Sequence, residues 1–127
     1  MNKYENKVIL KGFLGKDPEI RYSPSGVVVI RLSLATSTSW KDQSTQEWKS
    51  QTEWHRITVF RKTSDTIEQN LCTGSYICVE GYLKYNTWED KNGSKHRTAN
   101  IIGKTVELLD VPKTKITSND KDVILVM

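Results

Sequence analysis

The sequence predicts an all-β fold, a small barrel or sandwich, and three observations carry that reading. Apolar and polar residues alternate over several stretches, turn signals rich in Gly, Pro, Asn and Ser separate them, and a single short helical pattern interrupts the series. The first strand runs from Asn6 to Leu14, apolar and β-branched at its start, and is broken by Gly15 and Asp17-Pro18. Ser23-Pro24-Ser25-Gly26 is a turn signal, after which Val27 to Thr36 alternates cleanly. Val28, Ile30, Leu32 and Leu34 share one face of this strand, Arg31 and Ser33 the other.

A polar stretch from Ser37 to Gln51 reads as a long connection, and Gln51 to Lys62 as the third strand. Asp65 and Glu68 have capping-box spacing, Ile67 and Leu71 lie at i and i+4, and Gly74 can close the turn. That describes one short helix. Ser75 to Trp88 is a long strand, Lys91-Asn92-Gly93-Ser94 a hairpin turn, and Lys95 to Leu109 the returning strand. Alternation alone fits a barrel or a sandwich equally well. A short helix between the third and fourth of five strands favours the OB-fold, a five-stranded Greek-key barrel.

Past Val111-Pro112 the pattern dissolves, so the chain divides into a domain at 1–111 and a short tail at 112–127. The 127 residues suffice for one domain with a real core. No apolar run approaches the roughly 20 residues of a membrane helix. Met1-Asn2-Lys3-Tyr4 leads into strand-like sequence without a signal-peptide pattern, so the expected address is the cytoplasm, with the nucleoid, and no membrane. Cys72 and Cys78 lack a second pair at zinc-ligand spacing and read as reduced structural thiols. The net charge of +4 is too small to single out a nucleic-acid binder, so arrangement matters more than total.

The third strand supplies that arrangement. Trp54, Arg56, Thr58 and Phe60 fall on one face and His55, Ile57 and Val59 on the other. Flat rings stack on unpaired bases and cations hold the phosphates between them. A packed core would explain Trp54 and Phe60 but would not place Arg56 between them. Trp40, among Ser39, Lys41 and Asp42, and Trp88, before Glu89-Asp90, stand in polar surroundings that suit exposed rings. Trp48 is a further candidate platform on the connection. The composition of this face points to single-stranded nucleic acid. An oligosaccharide module would also use aromatics, but not basic residues beside them.

Asn6-Lys7-Val8-Ile9-Leu10, Gly12, Leu14-Gly15, Asp17-Pro18-Glu19-Ile20-Arg21-Tyr22, Leu34-Ala35-Thr36, Ser39-Trp40 and Thr52-Glu53-Trp54-His55-Arg56 together resemble the bacterial single-stranded DNA-binding proteins. Gly74-Ser75, Val79-Glu80-Gly81 and Trp88 extend the resemblance over about residues 3–110. It implies a homotetramer of OB-folds, a pair of dimers, that coats single-stranded DNA with little base preference during replication, repair and recombination. It assigns stacking to Trp40, Trp54, Phe60 and Trp88, and phosphate contacts to Lys7, Arg21, Lys49, Arg56, Lys62 and Lys84. It places His55 at a subunit contact. The opening strand, with Val8 and Leu10 opposing Ile9 and Phe13, is expected to need cover from another subunit.

The sequence also departs from the family. Lys84-Tyr85-Asn86-Thr87-Trp88 keeps one charge where the family often has a basic run, and Thr73 stands where lysine is frequent. Arg61 beside Lys62 is expected to compensate in part. The tail carries three lysines against two aspartates and ends Val123-Ile124-Leu125-Val126-Met127, unlike the usual linker and acidic tip. This reads as a short form in which recruitment of replication and repair enzymes is not evident. The alternative in the same fold is a primosome-type accessory protein that presents single-stranded DNA to replication enzymes. No catalytic constellation, cofactor motif or metal site is expected. His55 lies on the face away from the bases, and Gly12-Phe13-Leu14-Gly15-Lys16-Asp17 is too short for a phosphate loop.

Overall fold

The computed structural model describes residues 3–63 and 66–112. Six strands follow in order: β1 (Val8–Leu14), β2 (Glu19–Tyr22), β3 (Val28–Lys41), β4 (Trp48–Arg61), β5 (Tyr76–Glu89) and β6 (Lys95–Asp110). They form one sheet in the order β1-β5-β6-β4-β3-β2, and β1 also pairs with β3. That last pairing, Phe13 with Ala35 and Leu14 with Leu34, closes five strands into the OB barrel. Gly12 permits the closure, because a Cβ there would overlap the Ala35 carbonyl oxygen. Asn6, expected to start β1, instead uses its side-chain amide as a strand partner. It donates to the Leu83 carbonyl at 2.8 Å and accepts from the Leu83 N–H at 3.0 Å.

The alternation of β3 fills the barrel as expected. Val28, Ile30, Leu32 and Leu34 are buried and meet Ile57 and Val59 of β4 and Ile77 and Val79 of β5. Each such side chain, removed from water, contributes about 1.5–3 kcal/mol. Gly103 of β6 sits under Ile57, Val59 and Val79, where a side chain would crowd all three.

Three expectations need correction. The stretch from Ser37 to Gln51 is not a connection: its two ends extend β3 and β4 into a long antiparallel arm whose register runs unbroken from Val28–Arg61 to Lys41–Trp48. Only Asp42 to Glu47 forms the turn, held by Asp42 N–H to Glu47 O at 2.8 Å and Gln46 N–H to Asp42 O at 2.7 Å. A sixth strand, β2, was not foreseen; four residues long, it lies on the edge beside β3. Between β4 and β5 stands a single 3-10 turn, Ile67–Asn70, rather than a capped α-helix. Its cap, Thr66, makes no side-chain capping bond, and Asp65 lies outside the described residues.

Glu68, read as the capping partner, is fully buried and bonded to Arg61 at 2.8 Å (Nη2 to Oε2) and 3.2 Å (Nε to Oε1). Arg61 is therefore committed to the core edge and does not supplement Lys62 as expected. β5 and β6 form a second long arm closed at Asp90–Ser94. Because β4 and β6 run parallel where they touch (Ile57–Ile101 to Val59–Gly103), both arms leave the barrel from the same end. No helix among the described residues is long and apolar enough to cross a membrane.

Candidate nucleic-acid interface

Register decides which side chains share a face. The outer face of β4 shows Trp48, Trp54, Arg56 and Phe60, with Trp48 71% exposed, Trp54 59% and Phe60 51%. This exposure excludes a core role for either ring of the third predicted strand. Opposite them on β3 stand Lys41, Ala35, Ser33 and Val29, and Arg21 of β2 pairs with Val29, which brings it to the Phe60 end. Thr58 lies level with Ile102 of β6, and Ile102, Asn100 and His96 pair with Tyr82, Lys84 and Trp88 of β5. The same outer face thus continues from Phe60 through Arg56 to Lys84 and Trp88.

Trp40 does not belong to it. It pairs with Lys49 and, by strand alternation, shares the face of His55. Trp48, expected only as a further platform, lies on the Trp54 face. His55 is half-buried with Nε2 2.9 Å from Thr36 Oγ1. On the corresponding side of the second arm, Arg97 lies 4.2 Å over the Tyr85 ring, and Leu83 is beside it in the alternation. The signal that could have found this pair is the alternation of β5, which sets Tyr85 on the face opposite Lys84 and Trp88.

Two rings are positioned by neighbours. Trp54 packs its six-membered ring against Gly15, where any Cβ would collide with it. Trp88 stacks on His96 at 4.4 Å between ring centroids, 20° from parallel. His96 Nε2 is 2.8 Å from Asp90 Oδ2, and Asp90 Oδ1 accepts from the Asn92 and Ser94 N–H groups. The His96 hydrogen bond, then those backbone bonds, hold the Asp90 carboxyl below its ordinary value.

The cations divide into two groups. Lys49 meets Asp42 at 2.9 Å, Arg21 meets Glu19 at 3.0 Å and Lys7 meets Glu80 at 3.6 Å. Lys49, then Ser44, holds the Asp42 carboxyl at about 2. Such exposed pairs are weak and exchangeable, so a phosphate can compete for each lysine or arginine. Lys7 lines a depression formed by Lys3 to Lys7, Glu80 to Tyr82 and Lys104, away from the Arg56 groove. Among the described residues, no ion pair engages Arg56, Lys62 or Lys84. Val8 is half-buried and Leu10 packs on the core, so neither presents itself outward as expected of an interface residue. The apolar side chains that β1 exposes are Ile9 and Phe13, the latter stacked on Tyr76 at 4.7 Å.

A model of the single-strand binding protein family matches residues 5–109. The chain belongs to that family. Among solved structures it resembles Plasmodium falciparum SSB in complex with ssDNA, at 34% identity and a TM-score of 0.72, over 87% of this chain and all of that one. It also resembles a deletion variant of the single-stranded DNA-binding protein from Thermus aquaticus, at 26% identity and a TM-score of 0.71, over 84% of this chain. The present chain spans about half of the Thermus chain (51%). The family model covers both arms and the barrel between them, so every ring and cation of the outer face lies inside the matched region.

Proposed function

We propose that this protein coats single-stranded DNA with little sequence preference, protecting it during replication, repair and recombination. The observation that carries this is one continuous outer face bearing Trp48, Trp54, Phe60 and Trp88, interleaved with Arg56 and Lys84. Every base has a π-face, so stacking on these rings is tolerant of sequence, and the cations track the backbone. The protein acts by binding, without a covalent step. Trp40 and Lys49 reach DNA where the strand crosses from one side of the first arm to the other. Coating of this kind belongs in the cytoplasm with the nucleoid.

Assembly is part of the reading. Ile9 and Phe13 are 59% and 55% exposed on β1, an apolar pair that a neighbouring subunit would cover. With His55 near a second contact, the expected state is a homotetramer, a dimer of dimers. The test is a titration with oligo(dT) followed by tryptophan emission and light scattering. Quenching of most of the emission by a tetramer is expected; absence of any quenching by oligo(dT) defeats the binding reading, and a monomer at micromolar concentration defeats the assembly. The tail past Pro112, on which recruitment of partner enzymes and the role of the apolar stretch 123–127 depend, lies outside the described residues.

Gly15 offers a quieter check. Gly15→Ala forces the Trp54 ring off its seat while leaving the barrel core untouched, since Gly15 lies at the surface. Oligo(dT) affinity should fall about fivefold, close to 1 kcal/mol, with an unchanged circular dichroism spectrum. Full affinity in this variant would mean that the seat does not matter.

A further inference from the structure

Between the rows of Phe60 and Trp54 lies a groove of about 450 Å³ whose lining includes Lys16, Arg31, Ser33, Arg56, Thr58 and Asn100, together with Glu19, the cross-strand partner of Arg31. Its position follows from register. Arg31 pairs with Thr58 and Ser33 with Arg56, the two rows that separate Val29–Phe60 from Ala35–Trp54. Asn100 enters from β6, where Ile101 lies level with Ile57. Phe60 and Trp54 are six residues apart, about 20 Å along a strand. A nucleic-acid chain with bases on both rings must therefore carry its backbone across these two rows.

The groove is chemically suited to that backbone. It gathers three cations against one carboxylate, and Glu19 already accepts from Arg21 at 3.0 Å. That hydrogen bond and charge, followed by the nearby Arg31 and Lys16 charges, hold the Glu19 carboxyl below its ordinary value. Among the described residues, no salt bridge occupies Lys16, Arg31 or Arg56. Guanidinium groups present paired N–H donors that match phosphate oxygens. The Ser33 and Thr58 hydroxyls and the Asn100 amide add neutral donors at the same place.

We infer that Lys16 and Arg31, together with Arg56, form a seat for the phosphodiester backbone of single-stranded DNA between the Phe60 and Trp54 stacking positions. Neither Lys16 nor Arg31 figured among the phosphate-binding residues expected from the resemblance. They offset the thinning of charge before Trp88 by placing it at the middle of the outer face. The inference rests on the single-strand reading and refines which cations carry it.

The experiment measures oligo(dT) affinity of the full chain by tryptophan quenching across a series of NaCl concentrations. The unmodified protein is compared with Arg31→Gln, Arg31→Lys and the double variant Lys16→Gln/Arg31→Gln. Each phosphate contacted on a single strand contributes about 0.7 to the slope of log affinity against log salt. The double variant should lose about 1.4 of slope, keep its maximal quench because every ring remains, and keep its thermal midpoint. Arg31→Lys should restore the slope lost in Arg31→Gln. A double variant with an undiminished slope overturns the seat while leaving single-strand binding intact. A lost slope that Arg31→Lys fails to restore also overturns it, since the loss then does not follow charge. Failure of the unmodified protein to bind oligo(dT) defeats the single-strand reading itself, and the seat with it.

Discussion

Arg61→Met is expected to destabilise the folded chain by about 3 kcal/mol, measured by urea denaturation at neutral pH. The carboxylate of Glu68 is fully enclosed, and Arg61 is its ion-pair partner, binding both carboxylate oxygens. Arg61 also donates from Nη1 to the Lys104 carbonyl at 3.1 Å, tying the 3-10 turn to β6. Removing one member of a buried pair leaves the other charged and unpaired, which costs about 3–5 kcal/mol. The lower end applies because Arg61 is 23% exposed and water can enter in its place. The double variant Arg61→Met/Glu68→Leu should recover most of the loss, since no buried charge then remains.

The same pair fixes a pH dependence with a definite sign. Burial, the largest influence, pushes the Glu68 carboxyl up, and the Arg61 and Thr66 hydrogen bonds, a backbone bond and the Arg61 charge together outweigh it, leaving it below its ordinary 4.5. A depressed folded value means the contribution is complete above the unfolded value and is lost as pH falls through the folded one. In Arg61→Met burial loses its main opponent and the carboxyl value rises, so the variant suffers most where Glu68 would be ionised. Its stability deficit should therefore be larger at pH 7 than at pH 4. A deficit independent of pH would mean that the lost packing of the arginine stem, and not its charge, sets the cost.

Trp54→Ala is expected to weaken oligo(dT) binding by about 1–3 kcal/mol, some 5- to 150-fold. Trp54 is exposed at the centre of the outer face, backed by Gly15, and flanked on its own strand by Arg56. Trp88→Ala should cost a similar amount. Its ring offers only one free face, because His96 already covers the other. The two arm-borne tryptophans give a sharper contrast. Trp48 shares the Trp54 face and Trp40 does not, so Trp48→Ala should cost more than Trp40→Ala. Equal affinities for Trp54→Ala, Trp88→Ala and the unmodified chain, all folded, would remove the outer face from consideration.

Much of this was legible in the residues. Alternation in Val28 to Leu34 and in Trp54 to Phe60 located both the core and the exposed aromatic face, because in those stretches one side of the strand is buried and the other is not. The arm between Ser37 and Gln51 was misread for the converse reason. Hydrophobic alternation arises only where one face is excluded from water, and from Ala35 to Arg56 no residue is buried. Without strand assignment there was no parity to apply, so Trp40 and Trp48 could not be sorted onto their faces. The Arg61–Glu68 pair was hidden differently. A basic strand end and an acidic turn seven residues later read as a surface charge and a cap, and only closure of the barrel brings them under cover. Lys16 and Arg31 come together for the same reason, through β2 and the β1–β3 closure rather than through any spacing.

The two arms have a further consequence for how the molecule holds its ligand. From Ala35 to Arg56 and from Tyr82 to Ile102 the chain is secured by cross-strand hydrogen bonds and side-chain pairs with no buried residue of its own. Elements of this kind open locally at far less cost than global unfolding. Trp48 and Trp88 are thus carried on the least cooperative part of the fold, Trp54 stands where the first arm joins the barrel at the Phe13–Ala35 closure, and Phe60 and the Arg61–Glu68 pair belong to the barrel. Backbone amides of the arms should exchange with solvent faster than those of β1 and of Val28 to Leu34. The outer face is thus compliant where it runs out onto the arms and stiff where it lies on the barrel, so an arm can open locally while the barrel beneath it stays folded.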